Sequence, residues 1–377
     1  MALKILFARS LPLDRDSRSS KMVTEYRRRG YHVTAVVWSR GEPGSIEPNV
    51  VTCTAKGDYG RRMRGLRARL EWLLFLTLYM IRNRGNYDVI HVVDLDTAIV
   101  GVPLGKFLRK PVVYDAYDHI SAIIGIGIIG RFLSHIERLA INRATLAIFP
   151  DVIRLEQYGV RSNEKIKIIG NIPEIQIQSN MLKPHSDERP LRIVYMGTLE
   201  AAHRGLEYLP SICSELPDKI EVLVGGMGAL EDYFARLSKS IDNLNYVGQQ
   251  DYSLALKRMA TADCLYGPYL LTASAHRYAS PNKMYEHLAL GKPLITNVGT
   301  PPAKLVKQLG SGFLFDGTFH GLQNLFADLN LASIATAGKH ASRAWAGQFS
   351  QLRQRQLDSF FDYFRRAIDN RPNSRII

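Results

Sequence analysis

Leu191–Gly197 reads LRIVYMG, and it echoes the start of the chain, where Leu3–Ala8 reads LKILFA. Each is a short apolar run rich in branched side chains, as expected of a strand buried in a parallel sheet. Working outward from Leu3, a helix is predicted through Lys21–Arg29, ended by Gly30. The strands His32–Trp38, Asp88–Val93, Pro111–Asp115, Leu146–Phe149 and Lys165–Ile169 follow. Working outward from Leu191, the strands are Lys219–Val224, Asn245–Val247, Cys264–Gly267 and Pro293–Thr296. Strands alternating with helical stretches predict an α/β fold with parallel sheets, and here the pattern is stated twice. Between the two statements, residues 174–190 (EIQIQSNMLKPHSDERP) lose periodicity and gain polar residues and proline, which reads as a linker. The expected organisation is a Rossmann-like domain over 1–173, a linker over 174–190, a second such domain over 191–350 and a helical segment over 351–377. A chain of 377 residues is long enough for two domains. Two sheets of this kind are expected to face a central cleft at the carboxyl ends of their strands.

The composition is that of a globular protein, 46% hydrophobic and 22% charged, with a formal net charge of +14. Residues 1–180 hold 27 Lys+Arg against 17 Asp+Glu, and the remainder holds 22 against 18. The excess therefore sits in the first half and points to an anionic partner such as a membrane leaflet or phosphate-bearing substrates. No aromatic-studded basic strand or recognition motif supports a nucleic-acid binder. The cysteines Cys53, Cys213 and Cys264 form no CxxC pair, so a disulfide framework is not expected and a reducing compartment is. The opening MALKILFARS is too short in its apolar run for a signal peptide, and no stretch reaches the length of a spanning helix. The expected location is cytoplasmic.

The chemistry concentrates in Ser280–Pro293, SPNKMYEHLALGKP. Ser280 is a good N-cap, Pro281 suits the first helical position, and Gly291 and Pro293 close the helix. Asn282 and Lys283 then fall in the first turn, where free amides and the helix dipole favour an anion. Glu286 shares their face at helical spacing, while Met284 and Leu288 face a core. A cation and free amides for a diphosphate, with a carboxylate one turn deeper for ribose hydroxyls, describe a nucleotide-diphosphate site. Spacing alone leaves a second reading open, a well-capped helix with an ordinary salt bridge.

PNKMYEHLALGKPLI (281–295) is similar to the PNK-x-x-E-x-x-A-x-GKP segment of family-4 glycosyltransferases, which are retaining, metal-independent enzymes of the GT-B fold. Further likenesses fall in the family's order. YDVIHVVDLDT (87–97) resembles its YDVIHaHD segment and PVVYDAYDH (111–119) its VVYDAHE. MGTLEAAHRGLEYL (196–209) resembles its strand–loop–helix, and YVGQQDYSLALKRMATADCLYGPY (246–269) its F-x-G…ADv-x-x-P. The resemblance covers nearly the whole chain and is strongest over 191–300. It implies that Gly197 and Thr198 let donor phosphates approach the backbone, that Arg204 and Lys283 neutralise the diphosphate, and that Glu286 binds the ribose, with Asn282 and Tyr278 on the donor side. It implies no cofactor and no metal, positioned cations taking the leaving group's charge. It also implies that the last helix crosses back to the first domain.

The sequence departs from the family pattern in three places. The slot of a second, sugar-contacting Glu holds Tyr278, with His276 and Arg277 beside it. The slot of the family's histidine holds Tyr117, and His119 is the nearest candidate to replace it as a catalytic group. The glycine pair after the first strand is absent. The loop there carries Arg15, Arg18 and Lys21, candidates for holding an acceptor phosphate.

Seven arginines against one acid lie between Arg61 and Arg84. Arg61, Arg62, Arg64, Arg67 and Arg69 precede the apolar run WLLFLTLYMI (72–81), too short to cross a bilayer but suited to a basic amphipathic helix at an anionic membrane surface. The later part is expected to pack inside and the arginine-rich start to face lipid.

These observations together predict an enzyme that moves a hexose from a UDP- or GDP-sugar to a lipid-linked saccharide, with retention, in polysaccharide or glycolipid assembly on the inner face of the cell membrane. Two alternatives share the fold: a nucleotide-sugar epimerase and a non-catalytic partner subunit. A dehydrogenase is disfavoured because no GxGxxG follows the first strand.

Overall fold

The computed structural model describes residues 2–41, 47–57, 62–119, 127–174 and 189–369, with side chains from 66 onward in the third of these segments. Most of the expected linker, 175–188, and Arg61 lie outside the described residues, as do the side chains of Arg62 and Arg64.

Two compact units divide the chain: 1–170 with 355–377, and 171–354. The first holds a seven-stranded sheet of β1 (Lys4–Arg9), β2 (His32–Trp38), β3 (Val50–Cys53), β4 (Val89–Val93), β5 (Val112–Asp115), β6 (Leu146–Phe149) and β7 (Ile166–Ile168), in the order β3-β2-β1-β4-β5-β6-β7. The second holds β8 (Leu191–Met196), β9 (Ile220–Gly225), β10 (Leu244–Tyr246), β11 (Cys264–Tyr266), β12 (Leu294–Asn297) and β13 (Gly312–Phe315), in the order β10-β9-β8-β11-β12-β13. Every pairing in both sheets is parallel. Both are Rossmann-like. Each sheet grows one way from its first strand and then the other, so the order reverses beside β1 and beside β8. The carboxyl ends of strands at such a reversal are where α/β proteins bind ligands.

The two edge strands β3 and β13 were not foreseen. Val50–Cys53 (VVTC) and Gly312–Phe315 (GFLF) are four residues each and only partly buried.

In the first unit the helix Ser17–Arg28 begins four residues earlier than its apolar spacing suggests, because Asp16 caps it by accepting from the Ser19 amide at 3.1 Å. The last helix, Leu352–Asp369, buries Leu357, Phe360, Phe361 and Phe364 against Phe7, Tyr26 and the sheet face around Ile5 and Val93. The opposite face carries the helices Arg62–Arg82, Asp94–Phe107 and Ile128–Arg143. Ala68, Trp72, Leu76 and Met80 of the first of these pack into the core with Leu6, Ile90 and Tyr114. Among the described residues no helix is long and apolar enough to cross a membrane.

Candidate functional site

In the second unit β8 ends in Met196-Gly197 and β9 in Gly225-Gly226, and the two strand ends meet backbone to backbone. The Gly197 amide donates to the Gly225 carbonyl at 3.0 Å. A Cβ on Gly226, whose φ is +141°, would lie 1.7 Å from the Gly197 oxygen, so only glycine fits there. Gly197 itself has φ +156°, and a Cβ on it would lie 2.8 Å from Lys283 Nζ. The floor of the site is thus bare backbone.

Above that floor opens a cleft of about 510 Å³, lined among others by Gly197, Thr198, Arg204, Asn282, Lys283 and Glu286. The helix Lys283–Leu290 is buried at every residue. Its opening turn is tied by the Asn282 carbonyl, which accepts from the Tyr285 and Glu286 amides at 2.9 Å each. Gly291, at φ +63°, closes it. Ser280 does not cap this helix as expected. The turn starts with Asn282 already in helical geometry, which leaves the Ser280 hydroxyl buried with no hydrogen-bond partner, while its carbonyl accepts from Asn171 Nδ2 at 2.8 Å.

Lys283 donates from Nζ to the Met196 carbonyl and lies 4.6 Å from the Tyr195 ring centroid. Burial pushes its pKa down to about 8, against the opposing pull of Glu286. Glu286 is buried and accepts from the Tyr252 hydroxyl at 3.1 Å, a phenol that burial and the carboxylate hold well above its ordinary pKa. Arg204 lies 4.0 Å over the Tyr269 ring and donates to Glu200 Oε2 at 3.0 Å. Two cations and a carboxylate therefore share a cleft whose floor can admit phosphate oxygens to backbone distance. Tyr278 stands apart: it ends the short turn Ser274–Tyr278 and is not among the residues lining the cleft. Neighbouring His276 is buried with Nδ1 on the Leu270 carbonyl at 2.8 Å.

Sequence reasoning missed Tyr252, Tyr269, Met227, Gln249 and Gln250, which also line the cleft. The available signal was position. All follow the ends of β9, β10 or β11, and Tyr252 opens a helix that Asp251 caps through the Leu254 amide at 2.9 Å.

In the first unit the carboxyl ends of β1, β4 and β5 gather a buried polar cluster. Arg9 donates to Asp16 Oδ2 at 2.6 Å and to Asp94 Oδ2 at 2.5 Å. Arg18, considered for an acceptor phosphate, donates to Asp115 at 3.0 Å and to the Ile169 carbonyl at 2.6 Å, and supplies the cation that an ionised Asp115 at zero exposure requires. Arg15 is exposed in the turn Leu13–Arg15, and Lys21 is half-buried in the helix that follows. Tyr117, in the family's histidine slot, has both the Arg9 and the Arg18 guanidinium carbons 4.8 Å from its ring centroid. His119 is buried, with Nε2 3.7 Å from Glu137 Oε2 and its ring edge-on to Tyr158. Burial pushes its pKa down to about 4, so near neutrality it is an uncharged imidazole. Of the arm's arginines, Arg67 and Arg69 are exposed, and Arg67 pairs with Glu71 at 2.9 Å.

No protein-family model matches the chain, and no curated protein matches it in sequence. Solved structures do. Sucrose-phosphate synthase from Thermosynechococcus elongatus superposes with a TM-score of 0.70 at 14% identity, covering 98% of this chain and 100% of that one. HepE from Anabaena, in complex with UDP and glucose, gives 0.67 at 18% identity over 96% and 100%. A putative UDP-N-acetylglucosamine 2-epimerase from Listeria monocytogenes gives 0.62 at 12% identity over all of both chains. The fold is that of the GT-B glycosyltransferases.

Proposed function

We propose that this chain is a glycosyltransferase that takes a hexose from a nucleotide-diphosphate sugar. The carrying observation is the glycine floor at Gly197 and Gly226 facing Lys283, Arg204 and Glu286 across one cleft. The pyrophosphate lies over Gly197 and Thr198 at the opening amides of the helix Lys283–Leu290, neutralised by Lys283 and Arg204. Glu286, held by Tyr252, takes the ribose hydroxyls. As the bond from the anomeric carbon to the leaving phosphate lengthens, charge grows on a phosphate already in contact with fixed cations, which requires no metal. HepE, solved with UDP-glucose, supports UDP as the first nucleotide to try. Retention rests on the likeness of residues 281–295 to family-4 enzymes. Thermal-shift titration against UDP, GDP, ADP and dTDP tests the reading, since a ligand of the folded state stabilises in proportion to its affinity. A selective shift that Glu286→Ala and Lys283→Ala abolish is expected; no shift with any of the four would overturn it.

The acceptor we propose is a lipid-linked saccharide, reached with the first unit seated on the inner face of a membrane. The helix Arg62–Arg82 supports this seat with a second apolar row: Leu66, Leu70 and Leu74 are each 58–60% exposed, and Leu78 and Ile81 continue the row. It runs opposite the core face of Ala68, Trp72, Leu76 and Met80, beside Arg67 and Arg69. An apolar face flanked by arginines suits an anionic leaflet.

The likeness to the putative epimerase favours one alternative, inversion at the sugar's C2 without an acceptor. Incubation with UDP-N-acetylglucosamine alone separates the two: release of a C2 epimer would replace the transferase reading.

A further inference from the structure

Arg204 reaches the donor cleft on a loop, between the end of β8 and the helix Tyr208–Glu215. The loop passes through Ala202, whose φ of +66° is a left-handed conformation that a residue with a Cβ seldom adopts. The Ala202 amide donates to Glu207 Oε1 at 2.5 Å. One residue on, the His203 carbonyl accepts from the Leu270 amide at 3.0 Å, and His203 Nδ1 lies 2.9 Å from Thr272 Oγ1. The loop is thus pinned, with some backbone strain, to the segment that follows β11.

That segment supplies the surface against which Arg204 rests. The Arg204 guanidinium carbon lies 4.0 Å from the Tyr269 ring centroid. Tyr269 is fixed at its backbone, where its amide donates to Asn297 Oδ1 at 2.6 Å and its carbonyl accepts from Asn297 Nδ2 at 3.0 Å. Its ring meets His276 edge to face, with centroids 5.2 Å apart and planes at 77°. His276 in turn abuts the His203 ring at 6.2 Å and 89°. The His276 ring is itself locked. A carbonyl can only accept, so Nδ1 carries a proton and donates it to Leu270 at 2.8 Å. Burial lowers the pKa of His276, the Leu270 carbonyl opposes this and the Arg204 charge adds to it. Near neutrality the ring is therefore uncharged and does not repel the guanidinium. His276 is not among the residues lining the cleft.

We infer that His276 is a positioning residue: it holds the Tyr269 ring in place against the Arg204 guanidinium and so fixes where that cation meets the donor's phosphates. A cation fixed before the phosphate arrives meets it without reorganising, whereas an arginine on a loose loop must first be ordered. The inference rests on the proposed donor site and assigns how this chain holds one of its two cations.

The test is a thermal-shift titration of the full chain with UDP and with uridine, on wild type, His276→Asn, Arg204→Ala and the double variant. If the wild type selects another of the four nucleotides, that one and its nucleoside take their place. Asparagine can keep the hydrogen bond to the Leu270 carbonyl, and with it the loop, while removing the ring that meets Tyr269. UDP affinity is expected to fall about three- to tenfold in His276→Asn, the size of a lost aromatic contact, with uridine affinity within about twofold of wild type. Arg204→Ala should lose about tenfold or more. In the double variant the histidine change should add less than about twofold, because residues that act through one another are not additive. Losses that multiply in the double variant, an unchanged UDP affinity in His276→Asn, or an equal loss for uridine would each overturn the inference and leave the donor site standing. No shift of the wild type with UDP, GDP, ADP or dTDP would overturn the donor site itself, and the inference with it.

Discussion

Lys283 Nζ sits 2.8 Å from the point where a Cβ on Gly197 would lie, so the glycine and the lysine occupy one volume by arrangement. The lysine is anchored on the carbonyl of Met196, one residue earlier. Gly197→Ala therefore adds backbone strain at φ +156° and displaces the ammonium group. Strain of this kind costs of order 1–3 kcal/mol, and denaturant unfolding should show a loss in that range. Nucleotide affinity should fall further than stability predicts. Gly226→Ala should be worse, because its Cβ would meet backbone, which cannot yield as a lysine side chain can.

The lowered pKa of Lys283, about 8, gives the cleft a pH signature of its own. Above pH 8 the empty site loses the charge that neutralises a diphosphate, so nucleotide affinity should decline toward pH 9. Stability should move the other way. The unfolded lysine keeps its proton up to about 10.4 while the native one does not, so the unfolded state binds more protons between about pH 8 and 10 and stability rises there. Isothermal titration at pH 7, 8 and 9 should show the decline in wild type and a flatter profile in Lys283→Arg, which stays charged. An identical slope in both proteins would assign the decline to another group.

Glu286 and Tyr252 form a pair whose members should fail unequally. Tyr252→Phe removes one hydrogen bond at 3.1 Å but leaves the carboxylate in place, so a loss of about two- to tenfold in nucleotide affinity is expected. Glu286→Gln removes the charge that meets both the phenol and the ribose, and should cost about ten- to a hundredfold. Titration with UDP and with uridine checks the assignment, since a ribose contact must weaken both ligands.

These sites differ in how far the sequence announced them. The segment from Asn282 to Gly291 was legible because spacing on a helix fixes which residues share a face, and Lys283 and Glu286 do line one cleft. Arg18 was not legible, because its partner Asp115 is 97 residues away and nothing local marks that ion pair. Ser280 misled for a related reason. A serine before a proline is a good cap in isolation, but here Asn282 already has helical dihedrals, so the hydroxyl has no amide within reach. The run 72–81 was expected to pack inside; Trp72, Leu76 and Met80 do, but Leu74, Leu78 and Ile81 face outward, since a helix apolar on both faces loses the contrast on which the period depends. The short edge strands β3 and β13 escaped through their partial burial.

Asp94 offers a test in the first unit. It has φ +60°, a conformation that asparagine and aspartate tolerate best, and its Oδ1 accepts from the Tyr117 and Asp118 amides at 2.7 and 3.1 Å. Burial raises its pKa to about 7 despite the Arg9 contact. The native carboxyl thus holds a proton between about pH 4 and 7 that the unfolded one releases, so this group makes stability fall as pH rises through that window. Asp94→Asn keeps the turn and the amide bonds while removing the titration, and should flatten that part of the pH–stability curve. Asp94→Ala loses the loop anchor as well and should be destabilised at every pH by about 1–3 kcal/mol, measured by urea unfolding.

The outward row on the helix Arg62–Arg82 can be tested without disturbing the core. Leu70 and Leu74 are 58% and 60% exposed, so replacing both with glutamate removes little buried surface, and the melting temperature should stay within a few degrees of wild type. A leaflet that receives this face would have to accept two carboxylates in place of two apolar side chains, among headgroups that already carry negative charge. Binding to phosphatidylglycerol-containing vesicles should then fall at least tenfold, while nucleotide binding in the second unit stays unchanged. Leu70→Ala/Leu74→Ala should fall in between, because it removes apolar area without adding charge. Full vesicle binding by the glutamate variant would mean that this row does not seat the protein on a membrane, and the proposal of a lipid-linked acceptor would lose its structural support.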